Sequence, residues 1–205
     1  MTLEGIEGVG KTTQLTLLAE ALRNRHLPLL VTREPGGTPI GNEIRQVLLT
    51  PRADTMNPKT ELLLMFAARA QHLSQIVWPA LTQGQHVLCD RFTDASYAYQ
   101  GGGRGIPSSE IGLLESLVQG DFRPDCVFIL DADPKLALSR AKSRGGLDRI
   151  ELEELTFFER VRAAYLARAK QDPPRYRIID ASASPDMVHQ SIWSQLCPFL
   201  PQTLS

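Results

Sequence analysis

The sequence predicts an α/β fold, a three-layer sandwich in which a parallel β-sheet lies between layers of helices. Short apolar runs alternate along the whole chain with longer segments that carry helix-start signals. The runs are continuously apolar, as expected for strands that are covered on both faces. The five candidate strands are residues 1–5, 28–32, 86–90, 126–131 and 176–180.

The predicted helices follow from capping residues and from apolar segments that are too long for strands. Asp133 and Ser184 each precede a proline, the arrangement of an N-cap followed by proline at the first helical position. The run 58–84 is apolar almost all round in its first half, which predicts a deeply packed helix. The remaining predicted helices are residues 13–25, 107–120 and 151–171.

Composition narrows the class of protein. The chain has 205 residues, 42% hydrophobic and 22% charged, which fits one globular domain, residues 1–205. The net charge of −1 disfavours a nucleic-acid binder. Three unpaired cysteines, the lack of a leader pattern and the lack of an apolar run long enough for a bilayer predict a cytoplasmic protein with no membrane partner.

A phosphate-binding motif follows the first candidate strand. Residues 5–12, GIEGVGKT, match G-x-x-x-x-G-K-[ST] at every fixed position. Backbone N–H groups of such a loop surround phosphate oxygens, the lysine reaches the β- and γ-phosphates, and the threonine hydroxyl binds Mg²⁺. The expected ATP contacts are Gly5, Ile6, Glu7, Gly8, Val9, Gly10, Lys11, Thr12 and Thr13.

Further cations indicate a second phosphate. Asp90 and Arg91 end the third strand, where a carboxylate can hold Mg²⁺ and an arginine can hold an anion. Arg140, Arg144 and Arg149 bracket a Gly-Gly break, which predicts a mobile lid over residues 139–154. Two arginine groups favour a phosphotransferase that acts on a phosphate. The glycine-rich segment 101–107 is either a flexible connection or a functional loop.

Taken together, these motifs resemble the bacterial thymidylate kinase family over nearly the whole chain. The segments are EGIEGVGKTTQ, TREPGGTPIGNEIR, LLLMFAARAQH, DRFTDASYAYQGGGRGI and SRGGLDRIE. The resemblance implies a five-stranded parallel sheet, a homodimer, and transfer of the γ-phosphoryl group of ATP to dTMP with Mg²⁺. The acceptor oxygen belongs to a phosphate that is already ionised near pH 7, so no general base is needed.

The resemblance also implies roles for residues around the acceptor. Phe66 would stack on thymine and Arg69 would reach its O4 edge, while Tyr99 would exclude a 2′-hydroxyl and Glu7 would face the 3′-hydroxyl. The other implied contacts are Ser96 and Gln100 at the pyrimidine edge, Arg91, Arg45 and Arg33 around the acceptor phosphate, Glu34 and Pro35 in the wall, and Asp90 with Thr12 at Mg²⁺.

The lid carries the remaining implied roles. Arg144 and Arg149, with Lys11 and Arg91, would be catalytic, and Arg140 would bind ATP. This fits a branch of the family in which the phosphate loop lacks a catalytic arginine, since residue 9 is valine. Two alternatives stay open: a kinase for another nucleoside monophosphate or for a deoxynucleoside, and a non-catalytic nucleotide-binding module.

Overall fold

A computed structural model describes residues 1–200, apart from the side chain of Arg144, and confirms the predicted α/β fold. Five parallel strands form one sheet in the order β2-β3-β1-β4-β5. Each strand lies within a residue or two of its predicted position because each is a short apolar run between turn residues. The strands are β1 (Thr2–Glu4), β2 (Leu29–Arg33), β3 (His86–Asp90), β4 (Val127–Asp131) and β5 (Tyr176–Asp180).

The strand order determines where a ligand can bind. The chain leaves β1 to one side, forms β2 and β3 there, and then crosses to the other side of β1 for β4 and β5. Leu3 therefore pairs with Asp90 on one side and with Phe128 on the other. In open parallel sheets, ligands bind at the carboxyl ends of the strands beside such a change of direction.

Helices cover both faces of the sheet, and the predicted caps are present. The Asp133 side chain accepts a hydrogen bond from the Lys135 N–H, and Ser184 accepts one from the Met187 N–H. The α-helices are α1 (Lys11–Asn24), α2 (Pro39–Leu49), α3 (Pro58–His72), α4 (Trp78–Thr82), α5 (Thr93–Ser96), α6 (Ser108–Gln119), α7 (Pro134–Arg144), α8 (Leu155–Gln171) and α9 (Pro185–Leu196).

The predicted helix 58–84 forms two α-helices with a π-helical turn between them. A π-helical turn, Leu73–Val77, joins α3 to α4, where Pro79 lies in the first turn and has no N–H to donate. The expectation of burial all round is wrong for Leu63, which is 56% exposed. One side of α3 packs against the rest of the protein, and the opposite side exposes the apolar side chain of Leu63.

The glycine-rich segment 101–107 is less of a loop than predicted. Its first three residues belong to a second π-helical segment, Tyr97–Gly103, that follows α5. A Cβ atom at Gly102 would lie 2.6 Å from the Ala164 Cβ, and one at Gly103 would lie 2.5 Å from the Phe157 ring. The glycines therefore allow close packing against α8 rather than flexibility.

The main apolar core lies between the sheet and its flanking helices. It includes Leu3, Leu18, Phe128, Phe158 and Ile192, all 0% exposed. Within residues 1–200, no helix has both the length and the apolar character that a bilayer span requires.

Candidate active site

A cavity of about 730 Å³ opens at the carboxyl edge of the sheet. The segment after β1, the β2–α2 connection, α3, the segment after β3, the lid and the start of α9 all contribute to it. Most predicted site residues meet here. Those that line it are Glu7, Gly8, Val9, Gly10, Lys11, Thr12, Thr13, Glu34, Pro35, Arg45, Arg69, Asp90, Arg91, Ser96, Tyr99, Gln100 and Arg140.

The phosphate loop, residues 5–12, has the backbone that its glycines predict. Gly5, Gly8 and Gly10 have φ values of 130°, 77° and 96°, in the range that favours glycine. No side chain caps the start of α1, so its first N–H groups are available to an anion, as the helix dipole also favours. Gly5 and Ile6, which were also predicted to contact ATP, are not among the residues that line the cavity.

The Lys11 side chain turns back onto the start of the phosphate loop. Its Nζ donates to the carbonyl oxygens of Gly5 at 3.0 Å and Ile6 at 2.8 Å. Burial, and then the nearby Arg91, lower the pKa of Lys11 to about 8. The ammonium is thus held in a site that disfavours its charge until an anion arrives.

Glu7 links the phosphate loop to the segment that follows β3. Its Oε1 accepts from Arg91 Nη2 at 2.7 Å, and its Oε2 accepts from the Tyr99 hydroxyl at 2.7 Å. Arg91 also donates to the Gly5 carbonyl and to the Tyr165 hydroxyl. Arg91 has φ 66°, an uncommon backbone for a non-glycine residue, and these contacts hold it there.

The residues predicted to bind Mg²⁺ fit a metal. Asp90 Oδ1 is buried and has no hydrogen-bond partner, so the carboxylate has an unused acceptor beside the phosphate loop. Thr12, whose hydroxyl is an oxygen ligand of the kind that Mg²⁺ prefers, lines the same cavity.

A second set of side chains lines the same cavity and comes from the β2–α2 connection, from α3 and from the segment after β3. We call it the acceptor wall; it comprises Glu34, Arg69, Arg91, Ser96, Tyr99 and Gln100. Glu34 is its buried centre: Oε2 accepts from Arg69 Nε at 2.7 Å, and Oε1 lies 2.8 Å from His72 Nδ1. The Arg69 guanidinium also donates twice to Ser96 Oγ, each at 3.1 Å. Arg69 is therefore fixed in both position and orientation.

Arg45 and Arg33 add positive charge near the acceptor wall. Arg45 lines the cavity and donates to the Pro35 carbonyl at 2.9 Å. Burial, followed by the charges of Arg33 and Arg91, lowers the pKa of Arg45. Arg33 itself is not among the residues that line the cavity, but its charge acts on Arg45.

The structure does not support the predicted stack of thymine on Phe66. Phe66 is 2% exposed, packs with Leu62, Ile106 and Ile111, and carries the Arg69 guanidinium 4.6 Å from its ring centroid. The neighbouring Met65 lines the cavity instead. A shift of one residue rotates a side chain by about 100° around a helix, which the sequence pattern did not resolve.

The predicted catalytic role of Arg149 is not supported either. Its Nη2 donates to Glu61 Oε2 at 2.6 Å, its Nε donates to the Leu48 carbonyl at 2.7 Å, and it does not line the cavity. The arginine instead fastens the lid segment, residues 139–154, to α2 and α3. The prediction for Arg144 concerns a side chain outside the described part of the chain.

Other residues in the cavity were missed by the sequence analysis. Arg140 donates to the carbonyls of Ala181 and Ser182, and the adjoining surface is formed by Ala183, Pro185 and Val188. These are small or apolar residues in the β5–α9 connection and α9, and no binding motif marks them, since Pro185 was predicted only as part of a helix start. Ile150 lines the cavity from the lid, where the Asp148 carboxylate accepts from the Ile150 N–H at 2.8 Å.

Comparisons with known proteins agree with this geometry. A family model described as thymidylate kinase matches residues 3–192. A thymidylate kinase of Pseudomonas fluorescens SBW25 is 53% identical over 192 residues, 94% of this chain and 91% of that protein. One from Pseudomonas savastanoi pv. phaseolicola is 56% identical over 182 residues, 89% of this chain and 87% of that protein. The crystal structure of thymidylate kinase from Ehrlichia chaffeensis is similar with a TM-score of 0.79 and 36% identity, covering 96% of both chains.

Proposed function

The chain belongs to the thymidylate kinase family and phosphorylates dTMP to dTDP with ATP, and we propose how its cavity divides the two substrates. ATP lies with its phosphates on the phosphate loop, and dTMP lies against the acceptor wall. One observation carries this division: the same cavity is lined by the loop with Lys11 and by the carboxylate-held arginines of the acceptor wall, and Glu7 of the loop is bonded to Arg91 of the wall.

The transfer is a direct in-line displacement in this proposal. An oxygen of the dTMP phosphate bonds to the γ-phosphorus of ATP as the bond from that phosphorus to the bridging oxygen of ADP breaks. The attacking oxygen is already ionised near pH 7, so the protein need not remove a proton. Lys11 and Arg91 neutralise the charge on the transferring group, and the walls align the two phosphates.

Mg²⁺ fits the pair Thr12 and Asp90, where the Asp90 Oδ1 acceptor is unused. When bound, it neutralises phosphate charge. Thr12 offers its hydroxyl from the start of α1, and Asp90 offers its carboxylate from the end of β3.

Recognition of dTMP rests on the acceptor wall. Arg69, fixed by Glu34 and Ser96, donates toward the thymine O4 edge, and Gln100 contacts the N3 side. Met65 takes the apolar contact with the base that was first expected of Phe66. Tyr99 and Glu7, joined by a 2.7 Å hydrogen bond, lie against the sugar. Arg45 and Arg91 hold the phosphate, and the charge of Arg33 supports them.

The adenine of ATP lies beside Arg140 in this proposal. Arg140 is held by the Ala181 and Ser182 carbonyls, and Pro185 and Val188 supply apolar surface next to it. The chain acts as one catalytic domain, in which the lid over residues 139–154 limits access of water to the transferring group.

A substrate panel tests the acceptor assignment. ADP release with ATP and each of dTMP, dUMP, CMP, AMP and thymidine should give the highest kcat/KM for dTMP. Thymidine lacks the phosphate that Arg91 and Arg45 bind, so it should be a poor acceptor. A preference for CMP or AMP would contradict the assignment of the acceptor wall.

We propose that the functional unit is a homodimer formed through α3 and α6. These helices expose Leu63, Leu113 and Leu117, which are 56%, 72% and 80% accessible in one chain. Leu117→Glu should then yield a monomer in sedimentation analysis. Met187→Glu, at a 62% exposed position on α9, is the matched control and should leave the dimer intact. A dimer in both variants would refute this face.

The proposed compartment is the cytoplasm. Cys89, Cys126 and Cys197 are all free thiols, as is usual under reducing conditions. Fractionation of cells and assay of ADP release in each fraction would test this placement.

A further inference from the structure

Glu61 is a buried carboxylate that the transfer itself does not use. It lies on α3, is 0% exposed, and is not among the residues that line the cavity. Its Oε1 accepts from Gln100 Nε2 at 2.8 Å, and its Oε2 accepts from Arg149 at 2.6 Å and Arg104 at 3.2 Å. A buried charge with this many partners needs an explanation beyond packing.

We propose that Glu61 is a positioning residue that sets which atom of the Gln100 amide faces the acceptor base. A carboxylate without a proton can only accept hydrogen bonds, so the Gln100 NH₂ group must face Glu61. The amide oxygen is then on the side of the cavity. Among the described residues, none donates a hydrogen bond to that oxygen, so it is available to a ligand.

The orientation decides between pyrimidines. Thymine and uracil carry a hydrogen on N3 and can donate to the amide oxygen, whereas the N3 of cytosine has none and is an acceptor. A fixed amide oxygen therefore favours dTMP over dCMP, and a free amide could rotate to suit either. This inference rests on the proposed function, in which Gln100 contacts the N3 side of the base.

The surroundings of Glu61 keep it ionised. Burial alone would raise its pKa, but the hydrogen bonds from Gln100, Arg104 and Arg149 outweigh burial and hold the pKa below its usual value. Arg104 is held in turn by Glu153, at 2.6 Å. The two arginines thus ensure that Glu61 acts as an acceptor toward Gln100.

Arg69, the second residue proposed to select the base, is positioned independently of Glu61. Arg69 is held by Glu34, Ser96 and the Phe92 carbonyl, none of which contacts Glu61. Its contribution to the preference for thymine over cytosine should therefore be common to variants of Glu61.

The test compares kcat/KM for dTMP and dCMP in wild type, Glu61→Gln, Gln100→Ala and the double variant. The neutral amide in Glu61→Gln can donate or accept, so the preference for dTMP should fall roughly tenfold to a hundredfold. Glu61→Gln should have no further effect on the preference in the Gln100→Ala background. An equal fall in that background would overturn the inference, because Glu61 would then act by another route.

Two control variants remove charges from the same network without touching Gln100. Glu153→Gln removes the other carboxylate on Arg104, and Arg149→Gln releases the lid contact with Glu61. Glu153→Gln should keep the wild-type preference, and Arg149→Gln should keep most of it, because Arg104 still pairs with Glu61. If Arg149→Gln lost it as fully as Glu61→Gln, lid position rather than amide orientation would be the cause.

Different results would contradict the proposed function and the positioning role of Glu61. A wild-type enzyme with no preference for dTMP over dCMP would contradict the acceptor assignment before any variant is compared. A wild-type preference that persists in full in Glu61→Gln would overturn the positioning role alone.

A measurement on wild type covers the case in which Glu61→Gln does not fold. The NH₂ resonances of Gln100, identified by their loss in Gln100→Ala, should show one proton with slow exchange before dTMP is added. Equal and fast exchange of both protons would mean that Glu61 does not hold the amide.

Discussion

The phosphate loop and the acceptor wall lie in one cavity but are built in different ways. The loop is eight consecutive residues, and its function depends on backbone N–H groups and one lysine. The wall is assembled from residues far apart in sequence, and its arginines are fixed by carboxylates: Arg69 by Glu34 and Arg91 by Glu7. Apart from Glu7 and Arg91, which join the two regions, changes in the loop should therefore act on ATP and on turnover, and changes in the wall on dTMP.

The largest effect should come from Lys11→Ala. Lys11 is the one cationic residue of the loop segment 5–12, and in the proposed function it neutralises the transferring group, so its loss should lower kcat by roughly a hundredfold to a thousandfold, with little change in the KM for dTMP. Steady-state ADP release at varied dTMP and ATP measures both. Lys59→Ala, which removes a surface lysine paired with Glu110, is the control and should behave like wild type. An equal loss in the two variants would contradict the role of the loop.

Glu34→Gln should have the next largest effect, on the wall. Arg69 would lose its carboxylate partner in a buried site, so the KM for dTMP should rise at least about tenfold while the KM for ATP stays near wild type. Thermal unfolding should also show a loss of stability.

Glu115→Gln is the matched control for that variant. Glu115 is likewise a buried carboxylate, paired with Arg123 and Tyr97 outside the cavity. It should lose stability without a rise in the KM for dTMP. A similar rise in both variants would mean that the change reports general destabilisation rather than the wall.

A smaller effect should appear when the pH is raised, and it should act on the binding of ATP by the phosphate loop. The pKa of Lys11 is lowered to about 8 by burial and Arg91, so the ammonium is lost as the pH rises past that value. The triphosphate favours the charged form, so ATP affinity should fall by up to about tenfold per pH unit above pH 8. Titration calorimetry at pH 7, 8 and 9 measures it. Lys11→Arg stays charged, and a fall of equal size in that variant would exclude Lys11 as the cause.

The smallest expected effect is a change in the KM for dTMP in a variant of Met65, compared with a variant of the neighbouring Phe66. Met65→Ala removes part of the cavity surface and should raise the KM for dTMP a few-fold, the size of one apolar contact. Phe66→Ala removes a buried ring and should mainly lower the stability, by about 3–5 kcal/mol. The reverse pattern would restore the stacking role that the sequence predicted for Phe66.

The parts of this molecule that depend on local sequence could be predicted. The strands, the phosphate loop and the caps at Asp133 and Ser184 follow from a few adjacent residues. The contact between Arg149 and Glu61 joins residues 88 positions apart, and nothing near Arg149 in the sequence indicates it. The close packing of Gly102 and Gly103 was not predicted, because the α8 residues that contact them are distant in sequence.

Glu7 has a consequence for directed evolution of this enzyme. One carboxylate in the donor loop accepts hydrogen bonds from both Arg91 and Tyr99 of the acceptor wall. The tolerated residue at position 7 therefore depends on what occupies positions 91 and 99, which is epistasis. Libraries that randomise the loop and the wall separately would discard variants that work only in combination. A changed nucleotide preference should be sought by varying the three positions together.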